Sequence, residues 1–223
     1  MGLFPDVQST LQFPQPLYER YRPRMIADFI GLEKPKKILS KFCRQPMESA
    51  FLFVGPSGTG KTSLALALCE ELHAELIHIP SQHCTVAELE EALRMTAYVP
   101  MQGKTFWLVL VDEADQMTEK AQLALLSKLD STARPQKTIF VFTCNGTATL
   151  EKRFLSRCMT VEFSSYGLRN ELAKFLAEVW DREIGHSSDM PDAEKPDFER
   201  LAKNSTNNVR DALQQLQIEI LAA

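Results

Sequence analysis

The chain has 223 residues, with 25 Lys and Arg against 29 Asp and Glu, a formal charge of −4, and 44% hydrophobic and 24% charged content. That suffices for one large globular domain or a medium domain plus a small one, and excludes a whole-chain basic field for nucleic acid. Any DNA contact must therefore come from a local patch or from several subunits together. No apolar run reaches the ~20 residues of a membrane-spanning helix. The start, MGLFPDVQST, lacks the basic-then-apolar pattern of a secretory signal. Cys43, Cys69, Cys84, Cys144 and Cys158 form no C-x-x-C pair, so neither a zinc module nor a disulfide framework is expected. Reduced thiols in an intracellular protein, cytoplasmic (nucleoid) or nuclear, are the expectation.

Residues 1–16 are rich in Pro, Gln and Phe and read as an extended arm. Within it Gln8, Leu11 and Phe13 have the Q-x-x-L-x-F spacing of short peptides that dock into sliding-clamp pockets. After YERYRPRMIADFIG comes a helical stretch over Lys34–Arg44, then the buried strand SAFLFVG. A glycine-rich turn leads into the helix TSLALALCEELHA, and AELIHIP reads as a strand. TVAELEEALRMTA is a helix with Thr85 at its N-cap. TFWLVLVDEAD and KTIFVFTCN are apolar strands flanking the helix KAQLALLSKLDS, and MTVEF is a shorter strand. Continuous apolar strands alternating with helices predict an α/β fold, a parallel sheet with helices on both faces. Beyond Tyr166 only helices are expected: LRNELAKFLAEVWDREIG, DFERLAKN and VRDALQQLQIEILAA. The boundary falls near Ser164–Tyr166, giving one unit over 17–165 and a small helical unit over 166–223.

Gly55-Pro56-Ser57-Gly58-Thr59-Gly60-Lys61-Thr62, followed by Ser63, matches G-x-x-x-x-G-K-[ST]. Between a strand and a helix this loop wraps phosphates with backbone N–H groups, while the helix turns its positive end to the same charge. Lys61 would neutralise the β- and γ-phosphates of ATP, and Thr62 would hold Mg²⁺. Asp112 and Glu113 end the apolar strand WLVLV, at the sheet edge where ligands bind. Asp112 suits a metal and Glu113 the activation of water; Asp115 reads as a helix cap. Asn145 ends the next strand, where it could touch the γ-phosphate or simply form a turn with Gly146. In EKRFLSRCMTVEF, Arg153 and Arg157 flank Phe154-Leu155 just before a strand.

These residues together resemble the clamp-loader branch of the AAA+ ATPases, close to the small subunits of replication factor C. YERYRPR resembles the opening of that ATPase domain, GPSGTGKT its Walker A, VDEAD its Walker B, FTCN its sensor 1, FLSRC its Ser-Arg-Cys motif and NVRDALQQLQ its sensor 2. The resemblance implies a P-loop sheet domain followed by a helical lid. It makes Arg157 an arginine finger acting in trans on a neighbour's ATP, and Arg210 a sensor acting in cis. It also puts Tyr21, Arg22, Pro23 and Ile30, with Phe29 and Gly31, at the adenine end of the pocket. Asn207-Asn208 departs from the family's usual Gly-Asp ahead of the sensor 2 arginine. The resemblance implies a third, collar domain after the lid that the sequence ending at QIEILAA is not expected to supply, so either a fragment of a longer protein or a short relative that assembles differently is expected.

The implied function is an ATP- and Mg²⁺-dependent ATPase subunit. With other such subunits it would load a sliding clamp onto primer–template DNA, gripping phosphates; Lys104, Arg134 and Lys137 are candidates for that grip. A nucleotide-switched interaction subunit with little turnover, or a loader of another ring such as a helicase, are the other readings. Arg153 has no assigned role.

Overall fold

A computed structural model of the chain describes residues 15–80, 84–101, 103–130, 132–184 and 195–222. The peptide Gln8, Leu11 and Phe13 lies outside them. The five strands are β1 (Ser49–Val54), β2 (Ala74–Ile79), β3 (Phe106–Val111), β4 (Thr138–Cys144) and β5 (Met159–Glu162). They form one parallel sheet in the order β2-β3-β4-β1-β5. All seven residues of β4 are buried, whereas the edge strands β2 and β5 are largely open to solvent. Inner strands buried on both faces need continuous apolar runs, and edge strands do not.

Side-chain alternation divides the core in two. Phe51, Phe53, Leu108 and Val141 face α2 (Glu33–Arg44) and α3 (Lys61–Glu71), packing with Leu39, Leu64 and Leu68. Leu52, Val109, Phe140 and Phe142 face the other way, onto Leu89 of α4 (Val86–Met95) and Leu125 of α5 (Glu119–Leu129). Thr85 caps α4, accepting the Glu88 N–H. α3 starts one residue earlier than the sequence pattern indicates, because Gly60 takes the cap in a left-handed conformation, φ 88°.

Two one-turn helices have no counterpart in the sequence reading, α1 (Leu17–Arg20) and α6 (Lys152–Leu155). The last helices, α7 (Arg169–Ile184), α8 (Phe198–Asn204) and α9 (Val209–Ala222), share a third apolar cluster with Leu17 of α1. The segment 17–31 is a strap between this cluster and the sheet. Leu17 N–H donates to Gln217 on α9, Tyr21 and Arg20 to Glu183 on α7, and Gly31 N–H to Glu171 on α7. Ile26 N–H donates to Glu71 at the end of α3.

Candidate functional site

β1 ends at Val54, and the glycine-rich loop turns the chain directly into α3. Lys61, only 9% exposed, lies under this loop. Its ammonium donates to the carbonyls of Gly55 at 2.6 Å and Pro56 at 2.8 Å, and to Asn145 Oδ1 at 3.1 Å. Burial pushes its pKa below the usual lysine range; Cys144, Asp115, Asp112 and Glu113 pull the other way. Thr59 fastens the turn by donating to Pro56 O.

β3 and β4 pair side by side, so residues far apart in sequence meet at their carboxyl ends. Asp112 Oδ1 accepts from the hydroxyls of Thr62 and Thr143, each at 2.7 Å, and Oδ2 faces His78 Nε2 at 3.1 Å. The Thr143 hydroxyl in turn accepts the Glu113 N–H at 3.0 Å. Glu113 is exposed, and its backbone is left-handed at φ 50°. That conformation is costly for a residue with a Cβ, and here the Thr143 bond helps to hold it. Asp115, read from sequence as a helix cap, makes no such bond: its Oδ1 is buried without a hydrogen-bond partner.

Beside the loop opens a cavity of about 640 Å³, lined by Tyr21, Arg22, Pro23 and Ile30 on one wall. Gly58, Thr59, Gly60 and Ser63 form its floor, and Arg210 and Leu213 of α9 reach it from the helical side. The sequence-derived residues from the 17–31 strap, the loop and the last helix therefore share one pocket, at a volume ordinary for a ligand site. Asn208 was not foreseen. It caps α9 by accepting the Asp211 N–H, and its amide donates to Ser57 O at 3.3 Å. Gly58, at φ +73°, leaves room for it; a Cβ there would sit 2.0 Å from Asn208 Oδ1. Its neighbour Asn207 is left-handed at φ 61°, a conformation asparagine tolerates better than most residues, which explains how the family's glycine is replaced. The signals missed were Thr143 inside the quoted FTCN, His78 on the strand AELIHIP, and Asn208 as a cap just before a helical run.

Arg157 lies away from this pocket. β5 begins opposite Phe51, four residues short of Gly55 along β1, or about 13 Å at strand rise, and Arg157 precedes that start. Its side chain is 32% exposed, with Nη1 donating to Arg153 O at 2.9 Å and Nη2 3.4 Å from Asp130. Arg153 thus contributes a carbonyl acceptor. Of the suggested DNA contacts, Lys104 pairs with Glu75, while Arg134 is bound to the carbonyls of Glu48 and Leu129.

The donor set fits a nucleoside triphosphate with Mg²⁺. A buried lysine and a helix N-terminus face phosphate, and a hydroxyl–carboxylate pair stands beside them with the orphaned Asp115 oxygen near the same lysine. Among the described residues no group of three or more His, Cys, Asp or Glu could hold a metal alone.

The family model described as the ATPase family associated with various cellular activities matches residues 51–166, just over half of the chain. Replication factor C small subunit 1 of Pyrobaculum islandicum is 30% identical over 90% of this chain and 60% of its own length. Small subunit 2 of Pyrobaculum aerophilum is 33% identical over 90% and 62%, and replication factor C subunit 2 of Arabidopsis thaliana 28% over 92% and 61%. The chain thus spans less than two thirds of the length of these relatives. Among solved structures, Thermotoga maritima RuvB superposes with a TM-score of 0.67 at 23% identity, covering 88% of this chain and 64% of that one, a likeness of fold. With its parallel sheet, phosphate loop and family match, the chain belongs to the ATPase family associated with various cellular activities.

Proposed function

We propose that this chain is an ATP-binding and hydrolysing subunit of a clamp-loader-like complex, which uses ATP to place a sliding clamp on primer–template DNA. The observation that carries the chemistry is the meeting of Lys61, Thr62, Asp112, Thr143 and Asn145 at one sheet edge, beside a cavity that Arg210 enters. The ring-loading part rests on the replication factor C relatives.

In this reading 17–165 is the ATPase unit and 166–223 its lid. Lys61 leaves its carbonyl acceptors for the β- and γ-phosphate oxygens, and the amides of Gly58 to Lys61 cradle them. Thr62 and Asp112 would hold Mg²⁺, which would supply neutralisation of the phosphate charge. Glu113 accepts a proton from the attacking water, which Asn145 helps to orient. Arg210 carries the state of the γ-phosphate to the lid. Arg157 is too far from its own loop to serve it, and its half-buried guanidinium would leave Asp130 to serve a neighbour's site.

DNA and partner subunits are expected to stimulate turnover, and an intracellular location goes with this role. Among the described residues no helix is long and apolar enough to cross a membrane. Steady-state ATP hydrolysis, with and without primed DNA and neighbouring subunits, tests the proposal. Wild type should be stimulated. Glu113→Gln should bind nucleotide but lose turnover by at least about 100-fold, the scale of a lost general base. Arg157→Ala should lose stimulation yet recover when mixed with a neighbour that supplies its own arginine. Nucleotide binding with no turnover under any condition would favour the switch-type subunit.

A further inference from the structure

A chain with a net charge of −4 needs a local basic patch to hold DNA, and two of the three first candidates for one are engaged elsewhere. Lys104 is ion-paired and Arg134 is bound to carbonyls. α2 offers a different surface. From Lys34 to Met47 the sequence KPKKILSKFCRQPM contains five cations and no acid. Lys34, Lys37, Lys41 and Arg44 are all exposed. At 3.6 residues per turn they fall within an arc of about 80°, a single stripe about 15 Å long.

None of the four forms an ion pair among the described residues. The acid at the head of the helix, Glu33, is already engaged by Lys36 at 2.7 Å. Lys36 is fixed in turn by its bond to Phe29 O. Beside the stripe an open cleft of about 600 Å³ runs between α2 and Ala27, lined by Lys34, Lys36, Lys37, Ser40 and Glu33.

We infer that the exposed face of α2 is a nucleic-acid surface that holds the phosphate backbone of DNA without reading its sequence. Charge and spacing carry the assignment. Successive cations are about 4.5 to 6 Å apart along the helix, within side-chain reach of phosphates that rise 3.4 Å each along a strand. Lysine ammoniums on flexible stems act as point charges toward phosphate, and the stripe presents no base-reading aromatic or amide groups. The inference rests on the reading of the chain as a DNA-handling subunit, but its test requires neither nucleotide nor hydrolysis.

The experiment is fluorescence anisotropy of the full chain with a labelled primer–template duplex over a series of KCl concentrations. Wild type is compared with Lys37→Gln/Lys41→Gln, and with Lys174→Gln/Lys203→Gln on the lid as a control of equal charge. The α2 pair should weaken binding about tenfold at low salt and lower the slope of log K against log salt by about 2, one unit per lost phosphate contact. The lid pair should leave both unchanged. Basal ATP hydrolysis should be the same in all three proteins, so a failed ATPase reading would register separately. Equal loss in both variants, no loss in the α2 variant, no binding by wild type, or equal displacement of DNA by polyglutamate would overturn the assignment.

Discussion

One hydroxyl, that of Thr143, serves two acidic residues: it donates to Asp112 and accepts the N–H of Glu113. Thr143→Val keeps the shape but leaves a backbone donor and a carboxylate oxygen with one partner fewer, at a cost of about 1–3 kcal/mol. Urea denaturation should show that loss, and Thr143→Ser should recover most of it. Hydrolysis should fall more than nucleotide affinity, because Thr62 still holds Asp112. Asn208 allows a finer separation. Its Oδ1 caps α9, which an aspartate does equally well, while its amide donates to Ser57 O, which an aspartate cannot. Asn208→Asp should therefore keep the melting temperature and lose the contact between lid and loop. Isothermal titration with an ATP analogue should show altered affinity. An unchanged affinity would mean that the Ser57 contact plays no part in nucleotide binding.

At the scale of elements, β1, β3 and β4 were legible because a strand buried on both faces needs an unbroken apolar run, as in FLFV, FWLVLV and TIFVF. The phosphate loop was legible because its glycines, lysine and threonine are consecutive. α1 and α6 were not, since one helical turn is too short to show a period. Strand order leaves no local trace either. Only the adjacency of β3 and β4 brings Thr143 to Asp112, and only that of β2 and β3 brings His78 there. The α2 stripe carried a spacing signal that the sequence reading passed over, and whether its lysines were paired depended on the fold. α6 also shows how a short element is held. Phe154 is fully buried and meets Phe142 edge-on, with ring centroids 4.9 Å apart. Phe154→Ala should cost about 3–5 kcal/mol, the range for large aromatic truncations. It should also release Arg157, three residues on. Phe154→Leu should retain much of the stability, so a variant that folds remains available for measuring stimulated turnover.

Across the whole molecule, the strap over 17–31 joins the helical cluster to the sheet, and its joint is Glu183. That carboxylate accepts two bonds from Arg20, at 2.6 and 2.8 Å, and one from Tyr21 OH at 2.7 Å. Burial first, then Glu183, pushes the Tyr21 phenol up to about 12. Burial likewise raises Cys69, Cys84 and Cys144 to about 11 and Cys158 to about 12. These are acids whose folded pKa exceeds the unfolded one, so the folded state keeps its protons longer. Their contribution to stability is complete below the unfolded values, near 9 for a thiol and 10 for a phenol, and is lost as pH rises through 11 to 12. The urea midpoint should accordingly hold steady from about pH 7 to 8 and fall steeply above about pH 9. Glu183→Gln separates the joint from the thiols. Phenolate absorbance, taken as the difference from the Tyr21→Phe protein, should titrate at lower pH than in wild type. It should remain above the ordinary value of 10.0, since burial is the larger cause. A Tyr21 titration unmoved by Glu183→Gln would mean that the carboxylate does not hold the phenol, and that the strap is anchored by Gln217, Glu171 and Glu71 without it.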